Sequence, residues 1–538
     1  MAERMFVPFG ELKPDGKLFN NDGLTRAEGV IPLAGNYSVA GLWSDQTGDL
    51  GEVPLGMHVH PTNGNSFRAY YGTQTKLKEV TPGGGGWTVN DKSRTVGGAY
   101  TAVTTSGFYG WQGASFGDAI VMTNGVDDPQ LLTSPATANF VKLAQSGSGN
   151  PGMDPLAKFA WPVRNNLFLA NLTLAAAFDG LPIGANPTVV AWSQTDNVRQ
   201  YGSYNATPQL TGTGYQPLSY DLGNIIGGIG GEYALVALQQ GWVRADGPPY
   251  TFRVLQRGSA CRYPNSIVRF DSDVYFMGPA GPMKLPGGEG PAVPIGLGRV
   301  ARQVTDAASG FGSTYAIYGS ARPVYVSGAA DSVTRSIIWA YTSTGASSVP
   351  ANGNLLLIYS IDDDRFSFIE SQLYYPSTLS AAGAQFIGAR PDNADPWSWG
   401  RDLVAVVNYN NGGLNGYRIG VPITGVAGVT LSTVMERAYQ QLSPEATTRI
   451  QRVRPILSMA DTSKSLTLSV TIRSKNSPYA DATPFGPFST KDPMGWVVTP
   501  TTSFFDFHQI SISTTTESAL LEMEGFEVEY VTGPAYGT

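Results

Sequence analysis

The chain has 538 residues, of which 42% are hydrophobic and only 14% charged, against about 25% charged in an average globular protein. Its formal net charge is −7 and its pI near 5.2, which excludes a general polyanion-binding surface with clustered Lys and Arg. A single cysteine, Cys261, excludes an intrachain disulfide and suits folding in a reducing cytosol.

The opening MAERMFVPFG lacks a basic-then-apolar signal pattern, and no stretch approaches the ~20 apolar residues of a membrane-spanning helix. The 65 glycines and 37 prolines stay below the roughly 25–30% that marks disorder. With 10 Trp, 26 Tyr and 23 Phe, they describe short strands joined by tight turns, so an all-β fold is expected.

Residues 1–55 read as an extended N-terminal arm or docking segment. Pro8, Pro14, Pro32 and Pro54 interrupt any period, Asn20–Leu24 is a turn, and the apolar patch Ala27–Leu33 needs a neighbouring surface to cover it. Residues 56–430 repeat a theme of short apolar strands. Examples are Phe116–Thr123 before the turn Asn124–Gly125, then Leu167–Leu174, Tyr233–Leu238, Ile337–Thr342 and Leu403–Tyr409. Two segments read as hairpins: Val274–Met277 crossing Gly278–Gly281 into Met283–Leu285, and Leu355–Ile361 crossing Asp362–Asp364 into Arg365–Ile369. Their spacing predicts a β-propeller of six to eight units, with a pair of β-sandwiches as the rival.

Residues 431–538 change character. Thr430–Ser443 is the best helix candidate by propensity, although it suits a strand equally. Leu466, Leu468, Val470 and Ile472 alternate onto one face. A C-terminal β-sandwich with one wet face is expected.

Little in the chain suggests catalysis. Of three histidines, His58 and His60 alternate onto one side of a strand, but a zinc site needs a third ligand. A surface or interface role is the expectation for them and for His508. A Ser-His-Asp arrangement needs an activated serine, and none is assigned. Gly227–Gly231 lacks dinucleotide-loop spacing, and its glycines point to close backbone packing. Asp362, Asp363 and Asp364 read as a solvated turn. Trp192, Trp397 and Trp399 read as blade aromatics rather than a sugar platform. No metal, cofactor or catalytic residue is assigned.

A set of short motifs runs in order along the chain. It opens with Asn21–Pro32 (NDGLTRAEGVIP) and Gly35–Tyr37, then Trp111–Asp118 (WQGASFGD), Thr123–Val126 and Pro129. It continues through Pro187–Ser193, Asp196 and Asn197, Arg257–Cys261 and Val274–Gly281. It closes on Arg452–Pro455, Phe507–Ile510 and Glu524–Val528. In this order they resemble the tail-nozzle, or packaged-DNA stabilisation, proteins of short-tailed bacteriophages. Glu11–Gly16 (ELKPDG) stands where that family usually has P-D-L-P.

The resemblance implies a structural, non-enzymatic virion protein with a β-propeller body, assembled in the host cytoplasm. It implies a homohexameric ring below the portal–adaptor complex that retains packaged DNA and conducts it during ejection. Tail fibre or spike proteins and a needle or plug are the further partners implied. A channel that lets DNA slide should have neutral or acidic walls. By local charge the candidate channel-lining residues are Asp362, Asp363, Asp364, Asp392 and Asp395, with only Arg365 and Arg390 as nearby bases. The alternative function is a carbohydrate-binding or carbohydrate-active β-propeller serving as a receptor-binding tail component.

Overall fold

Alternation along single strands explains how the sheets of this protein stack. The computed structural model describes residues 2–535 except 18, 20, 34, 40–43, 50–54, 63–65, 82–87, 102–109, 135–138, 144–152, 203–211, 219, 306–325, 332–334, 343–353, 372–376, 379–385, 391–401, 406–430, 460–465, 490–493, 500, 502 and 517–520. In it Asn166–Leu174 is an inner strand of a four-stranded antiparallel sheet, buried along nearly its whole length. Leu167 and Leu169 pack towards one neighbouring sheet with Ala114, Val121 and Leu131. Phe168 and Ala170 pack towards the other, with Val236 and Leu238. Asn171, with φ of 54°, sits where the pairing with Gly184–Trp192 changes register between Ala170 and Leu172, and its side-chain amide donates to the Ile225 carbonyl at 2.8 Å. Beyond this irregularity Leu172 and Leu174 pack in the same core as Leu167 and Leu169.

Seven such four-stranded meanders follow one another among the described residues. Blade 1 runs from Met57–Thr62 to Thr88–Asp91, blade 2 from Gln112–Phe116 to Val141–Lys142, and blade 3 from Pro155–Val163 to Gly214–Pro217. Blade 4 runs from Ile225–Ile229 to Thr251–Arg257, blade 5 from Val268–Phe270 to Val293–Pro294, and blade 6 from Val326–Asp331 to Arg365–Ser371. Blade 7 takes Ser377–Thr378, Phe386–Arg390 and Asp402–Ala405, and its outermost strand is Ser44–Asp49 from the beginning of the chain.

First strands touch around the ring, from blade 1 to 2, 2 to 3 and 3 to 4, then 5 to 6, 6 to 7 and 7 back to 1. Between blades 4 and 5 the 3-10 turn Pro264–Ser266 makes the contact. The fold is therefore a closed β-propeller, and closure removes the inner sheet edges. Among the described residues no helix is long and apolar enough to cross a membrane.

The segment read as a docking arm is instead woven into the chain's own sheets. Leu24–Glu28 lies between the outer strand of blade 6 and Leu431–Arg437, making blade 6 continuous with a C-terminal sheet that ends at Thr483–Phe488. Ala2–Pro8 pairs with Leu521–Ala535, and Val30–Leu33 reaches the same strand through Asn36–Val39. Ala27, Val30 and Ile31 are buried inside the molecule, not waiting for a partner.

The helix candidate is likewise a strand, Leu431–Arg437, because pairing on both sides overrides its helical propensity. The two C-terminal sheets and the outer parts of blades 5 and 6 share one apolar core, which includes Leu24, Tyr275, Trp339, Val470 and Val528. Both expected hairpins form, at Asp273–Gly278 with Gly281–Leu285 and at Asn354–Ser360 with Arg365–Ser371. Leu468, Val470 and Ile472 are buried on one face as their alternation predicts.

Candidate functional site

The histidine pair lies where blade 1 meets blade 2. His58 and His60 sit on the first strand of blade 1, and Ser115 on the first strand of blade 2. The Ser115 hydroxyl lies 2.7 Å from His58 Nε2 and 2.9 Å from His60 Nδ1. One hydroxyl offers one proton and two lone pairs, so it can donate to one imidazole and accept from the other. Gly113 makes the approach possible, because a Cβ there would lie 2.2 Å from the His58 Cβ.

Burial pushes the His58 imidazolium down to about 4, helped by the neighbouring His60, and burial also lowers His60. Both rings are therefore neutral near pH 7. Among the described residues no group of three or more His, Cys, Asp or Glu could hold a metal ion. Ser115 escaped the sequence reading, although Gly113–Gly117 (GASFG) has the G-x-S-x-G spacing; it lies on Gln112–Phe116, which turns back into the strand Ala119–Thr123 and not into a helix as a nucleophile elbow would.

His508 joins the two C-terminal sheets. Its Nδ1 is 2.8 Å from the Ser474 hydroxyl, and its Nε2 is 3.1 Å from the Thr448 carbonyl and 2.9 Å from the Thr448 hydroxyl. A carbonyl only accepts, so Nε2 carries the proton and Nδ1 accepts from Ser474. Burial brings its pKa down to about 4. The surface half of the surface-or-interface expectation is thus corrected: His60 and His508 are buried, and His58 is largely covered between blades. Cys261 is buried too, its thiol donating to the Tyr263 carbonyl and pushed up to about 12 by burial.

The glycine string packs as expected. A Cβ on Gly230 would come within 1.7 Å of the Pro162 carbonyl oxygen, so a side chain there would force blades 3 and 4 apart. Trp192 belongs to an aromatic cluster with Phe168, Tyr250 and Phe252, at centroid distances of 5.4 to 5.8 Å. Trp397 and Trp399 lie outside the described residues.

Asp362, Asp363 and Asp364 form the turn between the two outer strands of blade 6. Their bases are not the ones nearest in sequence. Asp362 accepts from Arg335 Nε at 2.9 Å, and Asp364 takes a bidentate pair from Arg299 at 2.8 and 2.7 Å. Asp363 accepts from the backbone N–H of Gly35 at 2.7 Å, and Arg365 donates to the Gly35 carbonyl. The hydrogen bonds from Arg299 hold the Asp364 carboxyl below its ordinary value.

Arg299 also pairs with Glu11, and Asp15 accepts from the backbone of Arg302 and Gln303. The turn therefore clamps the N-terminal segment to the linker between blades 5 and 6. The turn is solvated as expected, with the Asp362 and Asp364 side chains 59% and 56% exposed, but it is not short of bases, since Arg335 and Arg299 pair with it. Asp392 and Asp395 lie outside the described residues.

No family model matches the chain, and no curated protein matches it. Solved structures with distant likeness include a luciferin-regenerating enzyme, 10% identical over 70% of this chain and 99% of that one, with a TM-score of 0.33. Regucalcin, a calcium-binding protein from Agrobacterium tumefaciens, is 12% identical over 70% of this chain and 98% of its own, with a TM-score of 0.32. Puromycin hydrolase is 10% identical over 80% of this chain and 61% of its own, with a TM-score of 0.34. The fold stated above stands on the strand pairings of this chain.

Proposed function

We propose that this chain is a structural subunit of the tail of a short-tailed bacteriophage, forming a homohexameric nozzle ring below the portal–adaptor complex. In this role it retains packaged DNA and conducts it during ejection without catalysing a reaction. The observation that carries the reading is the ordered series of family-like motifs along the chain.

Where those motifs fall supports a shared architecture. Asn21–Pro32 supplies Leu24–Glu28, which joins blade 6 to the C-terminal sheet. Trp111 is buried and donates to the Thr73 carbonyl at 2.8 Å, fixing blade 1 to blade 2. Thr123 donates to the Ala157 carbonyl of blade 3, and His508 ties the C-terminal sheets. Motif residues at such junctions are those a common fold would hold in common.

The acidic overall balance suits a conduit, since a phosphate-binding wall would hold the genome back. The partners in this reading are the adaptor and portal proteins, a fibre or spike, a needle or plug, and transient genomic DNA. The test is add-back to particles assembled without this chain. They should leak packaged DNA, and the purified protein should restore retention. Particles that keep their DNA without it would overturn the proposal.

A further inference from the structure

Arg269, on the first strand of blade 5, is a guanidinium with no carboxylate partner among the described residues. Its Nη1 donates to the Gly230 carbonyl of blade 4 at 2.5 Å. Its Nε and Nη2 are shielded from solvent and have no acceptor. The Tyr233 ring lies 4.7 Å from this guanidinium and 3.7 Å from that of Arg244. A Cβ on Gly231 would come within 2.2 Å of Arg269 Nη1, so the strand packed against the guanidinium offers it backbone alone.

The carboxylates of this neighbourhood are engaged elsewhere. Asp246 and Glu289 pair with Arg244 and Arg253, Glu232 with Arg164, and Asp271 and Asp362 with Arg335. The carbonyls of Pro162, Gly230 and Gly231 already accept from Gly231, Arg269 and Arg164. A guanidinium offers donors only and stays charged at any ordinary pH. Burial works against that charge and draws its pKa below the usual value, with the like charge of Arg244 adding to the effect. A buried charge without a counter-charge is strongly destabilising. A water molecule would accept from the free nitrogens and leave the charge uncompensated. Nε and Nη2 bound one edge of the planar fork, the edge that takes an anion with two charge-assisted hydrogen bonds.

We propose that this edge of Arg269 holds a chloride ion, enclosed where blades 4 and 5 meet. A monatomic anion compensates the charge, accepts from both nitrogens at once and asks for the least room in a closely packed junction. Gly231 and Glu232 beside it are exposed, so the ion exchanges with the surrounding salt. It fixes Arg269 against Gly230 and Tyr233, a tie between blades 4 and 5 additional to the turn Pro264–Ser266. The site is independent of the tail-ring reading.

Crystals of the full chain grown in sodium bromide test the site directly, because bromide takes the place of chloride and marks itself by anomalous scattering. The expected result is an anomalous peak within hydrogen-bond reach of Arg269 Nε and Nη2. Thermal melts give the second readout. At fixed ionic strength, exchanging sodium methanesulfonate for sodium chloride should raise the melting temperature until the site saturates, and Arg269→Met should lose that rise. An apolar side chain in place of a buried charge is compatible with folding; should Arg269→Met fail to fold, the wild-type melt and the bromide peak decide. Density without anomalous signal, as a water would give, or an equal chloride response in Arg269→Met, overturns the proposal. A bromide peak without any chloride effect on wild-type melting marks an adventitious ion only and overturns it as well. A melting temperature raised by phosphate and not by chloride would assign an oxyanion instead.

Discussion

Blades 1 to 5 and the half of the molecule built on blade 6 reach the same kind of sheet by different routes. In the first five blades every strand pairs with its neighbour in sequence. Blade 6, blade 7 and the C-terminal sheets instead depend on strands drawn from residues 2–49, hundreds of positions away. Local meanders close short loops, whereas the second kind of pairing must first overcome the entropy of closing nearly the whole chain. The difference teaches that the N-terminal strands are a structural fastener and not a free arm. It also assigns different consequences to damage in the two regions.

The largest effect should come from breaking the fastener. Ala27→Asp places an unpaired carboxylate at a fully buried position between blade 6 and the C-terminal sheet. It should abolish cooperative unfolding of that half, and hydrogen exchange should show Leu431–Arg437 and Leu466–Lys475 losing protection while blades 3 and 4 keep theirs. Equal loss everywhere would erase the distinction between the regions.

In the local region the corresponding change is a cavity. Leu169→Ala in blade 3 should cost about 2–5 kcal/mol in denaturant unfolding, with the fold retained. A cost near zero would mean that the two-sided packing of this strand is wrong.

Acid should sharpen the comparison next. His508 has its pKa lowered from 6.5 to about 4 by burial, so below pH 6.5 the unfolded chain takes up a proton that the folded chain does not. Stability is full above pH 6.5 and falls as pH drops towards 4, by about 3 kcal/mol for this residue. His58 acts in the same direction at the blade 1–blade 2 contact. His508→Asn should weaken the protein at neutral pH but remove the C-terminal part of this slope. An unaltered slope would remove His508 as its cause.

The smallest effect belongs to the clamp. Asp364→Asn breaks a half-exposed pair with Arg299 and should cost no more than about 1 kcal/mol. Because the carboxyl is held below its ordinary value, its contribution is present above that value and disappears as pH falls through the folded pKa. Thermal melts at neutral and strongly acidic pH should converge for the variant and the wild type.

What the sequence made legible follows the same division. Val274–Leu285 and Leu355–Ile369 announce themselves because both strands and the turn lie within one window. The glycines of the 227–231 string could be read as packing residues because nothing else in that segment supports a ligand. Leu24–Glu28 could not be placed, since its partners are at Phe368 and Val434–Arg437 and no local period records them. Ser115 between two histidines, and Arg299 and Arg335 on the aspartate turn, were hidden for the same reason. Each pair is set by how strands and blades are packed together and not by spacing along the chain.

The claim on which the functional reading stands is a ring on the tail axis. Negative-stain images of intact particles, with an antibody against this chain marking its position, test that claim most directly. The account predicts label on an axial ring that averages with sixfold symmetry below the portal–adaptor complex. Label on peripheral trimers, as a receptor-binding propeller would give, or no label on the tail at all, would contradict it.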